Sequence, residues 1–177
     1  MKQKHWVGLG ALGLAGAEVY TLPGIVEKRK NGVLDHEPYS VSEEARRLHA
    51  SIPVADLHSD ALLWNRNLNR RGGRGHVDFP RLREGGVALQ VFSSVTHGPK
   101  TPTYGEDLEH PDLITPLGMV QGWPPWTWNS YFRRAMHQAG KLRKFQEKSG
   151  GLVRLVRTSA DLEAVLAARA VGRETLG

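Results

Sequence analysis

The sequence predicts an α/β domain built on a parallel sheet, and three observations carry that prediction. Short strand-like apolar runs alternate with stretches of helical periodicity, the order that crossover-connected parallel strands require. One run, Val87 to Val95, is nearly continuous in apolar residues and reads as a strand buried on both faces. Finally, 177 residues with 40% hydrophobic and 24% charged side chains suffice for one medium core and exclude disorder of the whole chain.

The elements follow in chain order. Lys2 and Lys4 precede an apolar run from Trp6 to Val26, interrupted by Glu18. As a secretory signal it has a basic start, an apolar core and the small-residue site Ala15-Gly16-Ala17. As an uncleaved helix it is about long enough to cross ~30 Å of hydrocarbon. A buried core helix is the third reading, and the glycines make it a poor one. Both leading readings place residues 1–26 as a signal peptide or membrane anchor and the body on the extracytoplasmic side. Residues 27–50 are expected to be a linker and a leading helix, and 51–177 the folded body. In the leading segment, Ser40 and Glu43 have capping-box spacing, predicting a helix through Leu48 to about Ala50.

Ile52 to Leu57 is short, apolar and β-branched, which predicts a buried strand. Residues 65–76 are polar and glycine-rich, hence a loop. Pro80 to Gly86 predicts a short helix closed by glycine, leading into the strand at Val87. Residues 97–117, with four prolines, read as a loop. Trp128 to Lys148 is helical, with Tyr131, Ala135, Leu142 and Phe145 as its apolar stripe. Leu152 to Val156 reads as a third strand, and Ser159 begins a helix running to Ala170.

Composition narrows the chemistry. The chain contains no cysteine, so any metal is held by His, Asp or Glu. The net charge of +6 lies in clusters such as Lys28-Arg29-Lys30 and Arg133-Arg134, read as solvated faces because no nucleic-acid motif accompanies them. Gly72-Gly73-Arg74-Gly75 is too short for a phosphate loop and lacks the following Lys-Ser/Thr.

The metal-ligand candidates are His58 and Asp60, two residues apart at the carboxyl end of the first strand. Residues i and i+2 of a strand point to one side, so an imidazole and a carboxylate can converge on one cation. His76 and Asp78 repeat the spacing but precede a proline in a loop. His97, His110 and His137 are scattered and read as surface or core histidines. The aromatic cluster Trp123 to Trp128 reads as loop cover over the sheet, with a peptide-docking or membrane-interface surface as the alternative. Gln90 and Ser93 are placed near the pocket and are not ligands.

The run Asp56-Leu57-His58-Ser59-Asp60-Ala61-Leu62-Leu63-Trp64 resembles the opening metal motif of the membrane dipeptidase (renal dipeptidase) family. Gly75 to Ser93 is similar to that family's next segment, where a Pro-x-Leu turn leads into a strand with Gln and an aromatic residue. Ser159 to Glu163 is similar to the helix before its next metal strand. The resemblance implies a partial (β/α)₈ barrel, two zinc ions activating a bridging water, and dipeptide substrates. It implies His58 and Asp60 as ligands of the first zinc, with a bridging Glu and two further His on later strands. Glu174 precedes rather than follows an apolar strand and does not match that Glu. The expectation is therefore an amino-terminal portion of a zinc dipeptidase, inactive by itself. The alternative is a noncatalytic, membrane-associated binding protein that uses the aromatic loop and basic faces.

Overall fold

The computed structural model describes residues 21–34, 37–98 and 111–177. Most of the expected leader, His110 and two of the four loop prolines lie outside the described residues. Residues 21–30 are helical (α1). No helix among the described residues is long and apolar enough to cross a membrane. The stretch expected as a linker begins inside α1, where Glu27 is only 1% exposed and packs on the body.

Helix α2 is Glu43–Ser51. Its N-cap is Ser42, whose hydroxyl accepts from the Ala45 N–H, so the expected cap at Ser40 is two residues early. No residue of α2 is buried; His49 Nε2 tethers the helix to the Gly85 carbonyl at 2.9 Å. Strand β1 is Val54–Ser59 and strand β2 is Val87–Phe92, and they pair in parallel. The expected buried first strand is instead an exposed one, with Leu57 at 71%. On β2, Ala88 and Gln90 face inward while the intervening residues are partly open. Continuous hydrophobicity there therefore hid a half-buried alternation.

Between the strands, Asp78 caps helix α3, Phe79–Glu84, by accepting from the Arg81 N–H at 3.0 Å. Gly85 closes that helix as expected, and Gly86 takes φ +69°, with His49 Nε2 only 3.2 Å from where a Cβ would stand. A side chain at residue 86 would meet both backbone strain and the α2 tether.

Helix α4, Ile114–Val120, begins inside the expected loop 97–117 and runs past its end. Pro116 sits in its first turn, where the backbone N–H has no intrahelical partner and proline is tolerated. Helix α5 is Tyr131–Glu147 and α6 is Ser159–Ala170. Thr158 and Asp161 form a reciprocal capping box on α6.

The expected third strand is reduced to one parallel bridge, Val153 to Leu176. The neighbour of β2 is the segment 176–177. Gly177 N–H donates to the Ala88 carbonyl at 2.8 Å, and Gln90 N–H donates to the Gly177 carbonyl at 3.0 Å. Bonds to residues on either side of Leu89 are the parallel pattern. The chain is thus an α/β structure with a small open parallel sheet.

One core cluster lies under this sheet: Ala61, Leu62, Leu68, Phe79, Leu82, Val153 and Leu176. A second contains Leu63, Ile114 and Trp123. The three-residue 3₁₀ turn Ala61–Leu63 feeds both clusters. Each buried leucine there contributes about 1.5–3 kcal/mol, so the turn directly after Asp60 is firmly seated.

Candidate metal site at the end of the first strand

His58 Nε2 lies 3.3 Å from Asp60 Oδ1, with the two side chains 71% and 48% exposed. The route to this convergence differs from the extended-strand argument. Asp56 pairs with Gln90 and Ser59 with Phe92, so three steps along β1 match two along β2. That extra residue is a bulge at Leu57-His58, a device that re-aims side chains at strand ends. Asp60 has already left the strand, with φ −89° and ψ 18°, and it makes no side-chain cap to the following turn. Convergence therefore comes from a bulge followed by a turn. The Asp56 carboxylate points back and accepts the His58 N–H at 3.1 Å, which fixes the backbone just before the imidazole.

Ser93, just past β2, supplies a second hold. Its N–H donates to the Ser59 carbonyl at 3.0 Å. Its hydroxyl lies within hydrogen-bond reach of that same carbonyl and of Asp60 Oδ1. The carbonyl already has a donor, so the single hydroxyl proton serves the carboxylate best. Ser93 was legible as a residue near the pocket; its bond to Asp60 needed the register between two strands. Gln90 is buried beside it, with Nε2 donating to the Val91 carbonyl at 3.2 Å. Gln90 Oε1 has no hydrogen-bond partner.

Three polar side chains of α5 fix the loops that carry these groups. Lys141 Nζ donates to the Leu62 and Trp64 carbonyls at 2.6 and 2.7 Å. Gln138 Nε2 donates to the Val95 carbonyl at 2.9 Å while Oε1 accepts the Val95 N–H at 3.1 Å. Arg134, 2% exposed, donates to the Thr96 carbonyl and to Asp112 Oδ2, each at 2.6 Å. The buried residues of α5 are Arg134 and Gln138, whereas Tyr131 of the expected apolar stripe is half exposed. Leu142 and Phe145 do pack against the core. A hydrophobic-periodicity argument assigns polar residues outward and misses this arrangement. Burial pushes the Lys141 ammonium down to about 8, with Arg66 adding to the fall and Glu27 opposing it.

The other candidates resolve individually. Asp78 is buried and spends its oxygens on Arg81 and the Gly72 N–H, while His76 is exposed. His97 stacks edge-on against Tyr131 at 5.6 Å. The His137 ring meets Trp123 at 5.1 Å, and burial holds its pKa down at about 4, with Lys141 and Lys144 adding to the effect. Trp123 is buried against Gly118, and Trp126 also contacts His137, so the aromatic cluster covers α4 and α5 rather than the sheet. Glu174 pairs with Arg83 at 3.3 Å, an ion pair remote in role from His58. Among the described residues no group of three or more His, Cys, Asp or Glu side chains is placed to hold a metal. The His58–Asp60 pair fits zinc in donor type, one nitrogen and one carboxylate, and would supply two of the three protein ligands that a catalytic zinc takes.

The chain is an α/β structure that places one nitrogen and one carboxylate donor side by side at the carboxyl end of a parallel strand. The family model for membrane dipeptidase (peptidase family M19) matches residues 42–172, and the chain belongs to that family. Members of the family are dipeptidases that in general depend on zinc. No curated protein and no solved structure matches the chain.

Proposed function

We propose that this chain supplies the first metal strand of a zinc-dependent dipeptidase site, with His58 and Asp60 as ligands. The observation that carries the reading is the 3.3 Å approach of His58 Nε2 to Asp60 Oδ1, in a member of a metallo-dipeptidase family. Bound zinc would supply an activated water and a polarised substrate carbonyl. The chain's own residues do the positioning. Asp56 holds the backbone before the imidazole, Ser93 orients the carboxylate, and Lys141 pins the turn that follows.

The same proposal includes a (β/α)₈ architecture, a pair of zinc ions, a dipeptide substrate for this chain, and an extracytoplasmic body delivered by residues 1–26. The parallel order of β1, β2 and residues 176–177 supports the architecture. Hydrolysis needs at least one protein ligand beyond the two that the described residues bring together. The second reading is a noncatalytic, membrane-associated binding protein that uses exposed basic faces such as Lys28 to Lys30.

Zinc titration of the full chain against a chromophoric chelator tests the ligand assignment. His58→Ala and Asp60→Ala should each weaken zinc binding at least about tenfold, in line with losing a ligand from a sparse site. Unchanged zinc affinity in both variants would refute the assignment. Dipeptide turnover by the 177-residue chain with added zinc would refute the noncatalytic reading.

A further inference from the structure

Helix α2 is short and uncovered. Helices under about 12–15 residues are marginal in water by themselves, and in proteins they are held by burying an apolar face. Glu43–Ser51 has nine residues and buries none of them. The His49 bond to the Gly85 carbonyl tethers it to the body. An apolar face is nevertheless present. Val41, Ala45, Leu48 and Ile52 follow one another at intervals of four, three and four residues, the spacing that lines one side of a helix. All four are exposed, Val41 at 45%, Leu48 at 63% and Ile52 at 50%. Single exposed apolar side chains are ordinary, but a stripe with helical spacing calls for a cover.

The charges around the stripe complement themselves. Glu43 and Glu44 occupy the first turn of α2. Beside its last turn lies a cavity of about 580 Å³, walled by residues 50–53 and by Arg83, Arg169 and Arg173. Arg83 is shared with Glu174 at 3.3 Å, and Arg169 donates to the Gly86, Val87 and Thr175 carbonyls. Arg173 is exposed and, like Glu44, has no ion-pair partner among the described residues. One end of the helix thus carries an uncommitted acid, and the surface at its other end an uncommitted cation. A twofold axis through the middle of α2 brings acid and cation together twice.

We propose that this face is the interface of a twofold homodimer, in which α2 packs antiparallel against α2 of a second copy. Val41 then meets the second copy's Ile52, and Ala45 meets its Leu48. Glu44 stands level with the second copy's last helical turn, within the reach of its Arg173. Charge selects the antiparallel arrangement, because a parallel one sets Glu44 against Glu44 and Arg173 against Arg173. The interface lies at the amino-terminal ends of β1 and β2, and His58 and Asp60 stand at the other end of the sheet. The dimer therefore leaves the metal-site end open, and it stands whether or not that site binds zinc.

Sedimentation equilibrium of the full-length protein tests this. A contact built on one short helix belongs to the small, weak class of interfaces, so dimers should form at roughly 1–100 µM. Leu48→Asp, at an exposed position, should weaken association at least about tenfold with an unchanged far-ultraviolet circular dichroism spectrum. Glu44→Arg and Arg173→Glu each turn two attractions into repulsions and should each weaken it about tenfold at low salt. The two charge reversals combined restore opposite charges across the axis, and should recover most of the native affinity. A monomer at every concentration would overturn the proposal. Association that is indifferent to Leu48→Asp would place the contact elsewhere and overturn it as well. Failure of the combined reversal to recover affinity would refute the antiparallel pairing of Glu44 with Arg173.

Discussion

Lys141→Met is the sharpest test of how the candidate site is held. The native ammonium is largely buried and gives hydrogen bonds to the Leu62 and Trp64 carbonyls at 2.6 and 2.7 Å. Methionine keeps most of the volume and loses both donors. A hydrogen bond from a charged donor contributes about 1.5–3 kcal/mol, which argues for a loss of several kcal/mol. Against this, the fall of the Lys141 pKa from its ordinary 10.5 to about 8 means that burial costs the charged form about 3 kcal/mol. The two effects oppose each other at neutral pH, so the variant should be destabilised there by about 1–3 kcal/mol.

The pH dependence separates the two contributions. Between about 8 and 10.5 the unfolded chain holds the Lys141 proton and the folded chain has released it. Stability of the native protein therefore rises with pH through that window, by up to about 3 kcal/mol. Lys141→Met lacks this rise, so the gap between native and variant should widen by that amount from pH 7.5 to 10.5. Urea unfolding across the range measures it. Parallel pH profiles for the two proteins would refute the assignment of a buried, strained ammonium beneath the Asp60 turn.

Three further outcomes follow from the same structure. Arg134→Met should cost about 3–5 kcal/mol, because it strands the Asp112 carboxylate and several buried carbonyls; a loss under about 1 kcal/mol in urea unfolding would contradict the network. Hydrogen bonds and arginine partners outweigh burial and hold Asp78 and Asp112 below the usual 3.8, so their stabilisation is present above that pH and disappears as pH falls through their lowered values. Acid unfolding of Asp78→Asn or Asp112→Asn should accordingly be less steep than that of the native protein. Ser93→Ala should weaken zinc binding several-fold with little change in unfolding free energy, while Ser93→Thr retains most of it; equal zinc affinity in both would remove Ser93 from the positioning role.

The parts of the fold that the sequence made legible are those governed by local chemistry. The glycine-closed turn before Val87, the helix from Ser159 and the parallel relation of the first two strands follow from caps, breakers and alternation. Position 116 misled because a proline's effect depends on where in a helix it falls, and the first turn tolerates it. The α5 stripe misled because Arg134, Gln138 and Lys141 find carbonyl partners from distant loops, and periodicity cannot see partners. Residues 152–156 are apolar enough for a strand but form only one bridge, since residues 176–177 occupy the place beside β2. At the candidate site, His58 and Asp60 were readable as a pair. The bulge that aims them, and the serine across the sheet that steadies one of them, depend on interstrand register.

The grip of α5 on the two loops makes that helix a measuring stick for the site. Gln138 and Arg134 hold Val95 and Thr96 beyond β2, while Lys141 holds Leu62 and Trp64 beyond β1, all from consecutive turns. The spacing between Asp60 and Ser93 is thus calibrated by helical pitch as well as by strand pairing. One residue inserted between Gln138 and Lys141 would rotate the latter grip by about 100° relative to the former. Such an insertion would misalign the two loops without altering any residue of either strand, so the length of α5 is as much a part of the site's specification as His58 or Asp60.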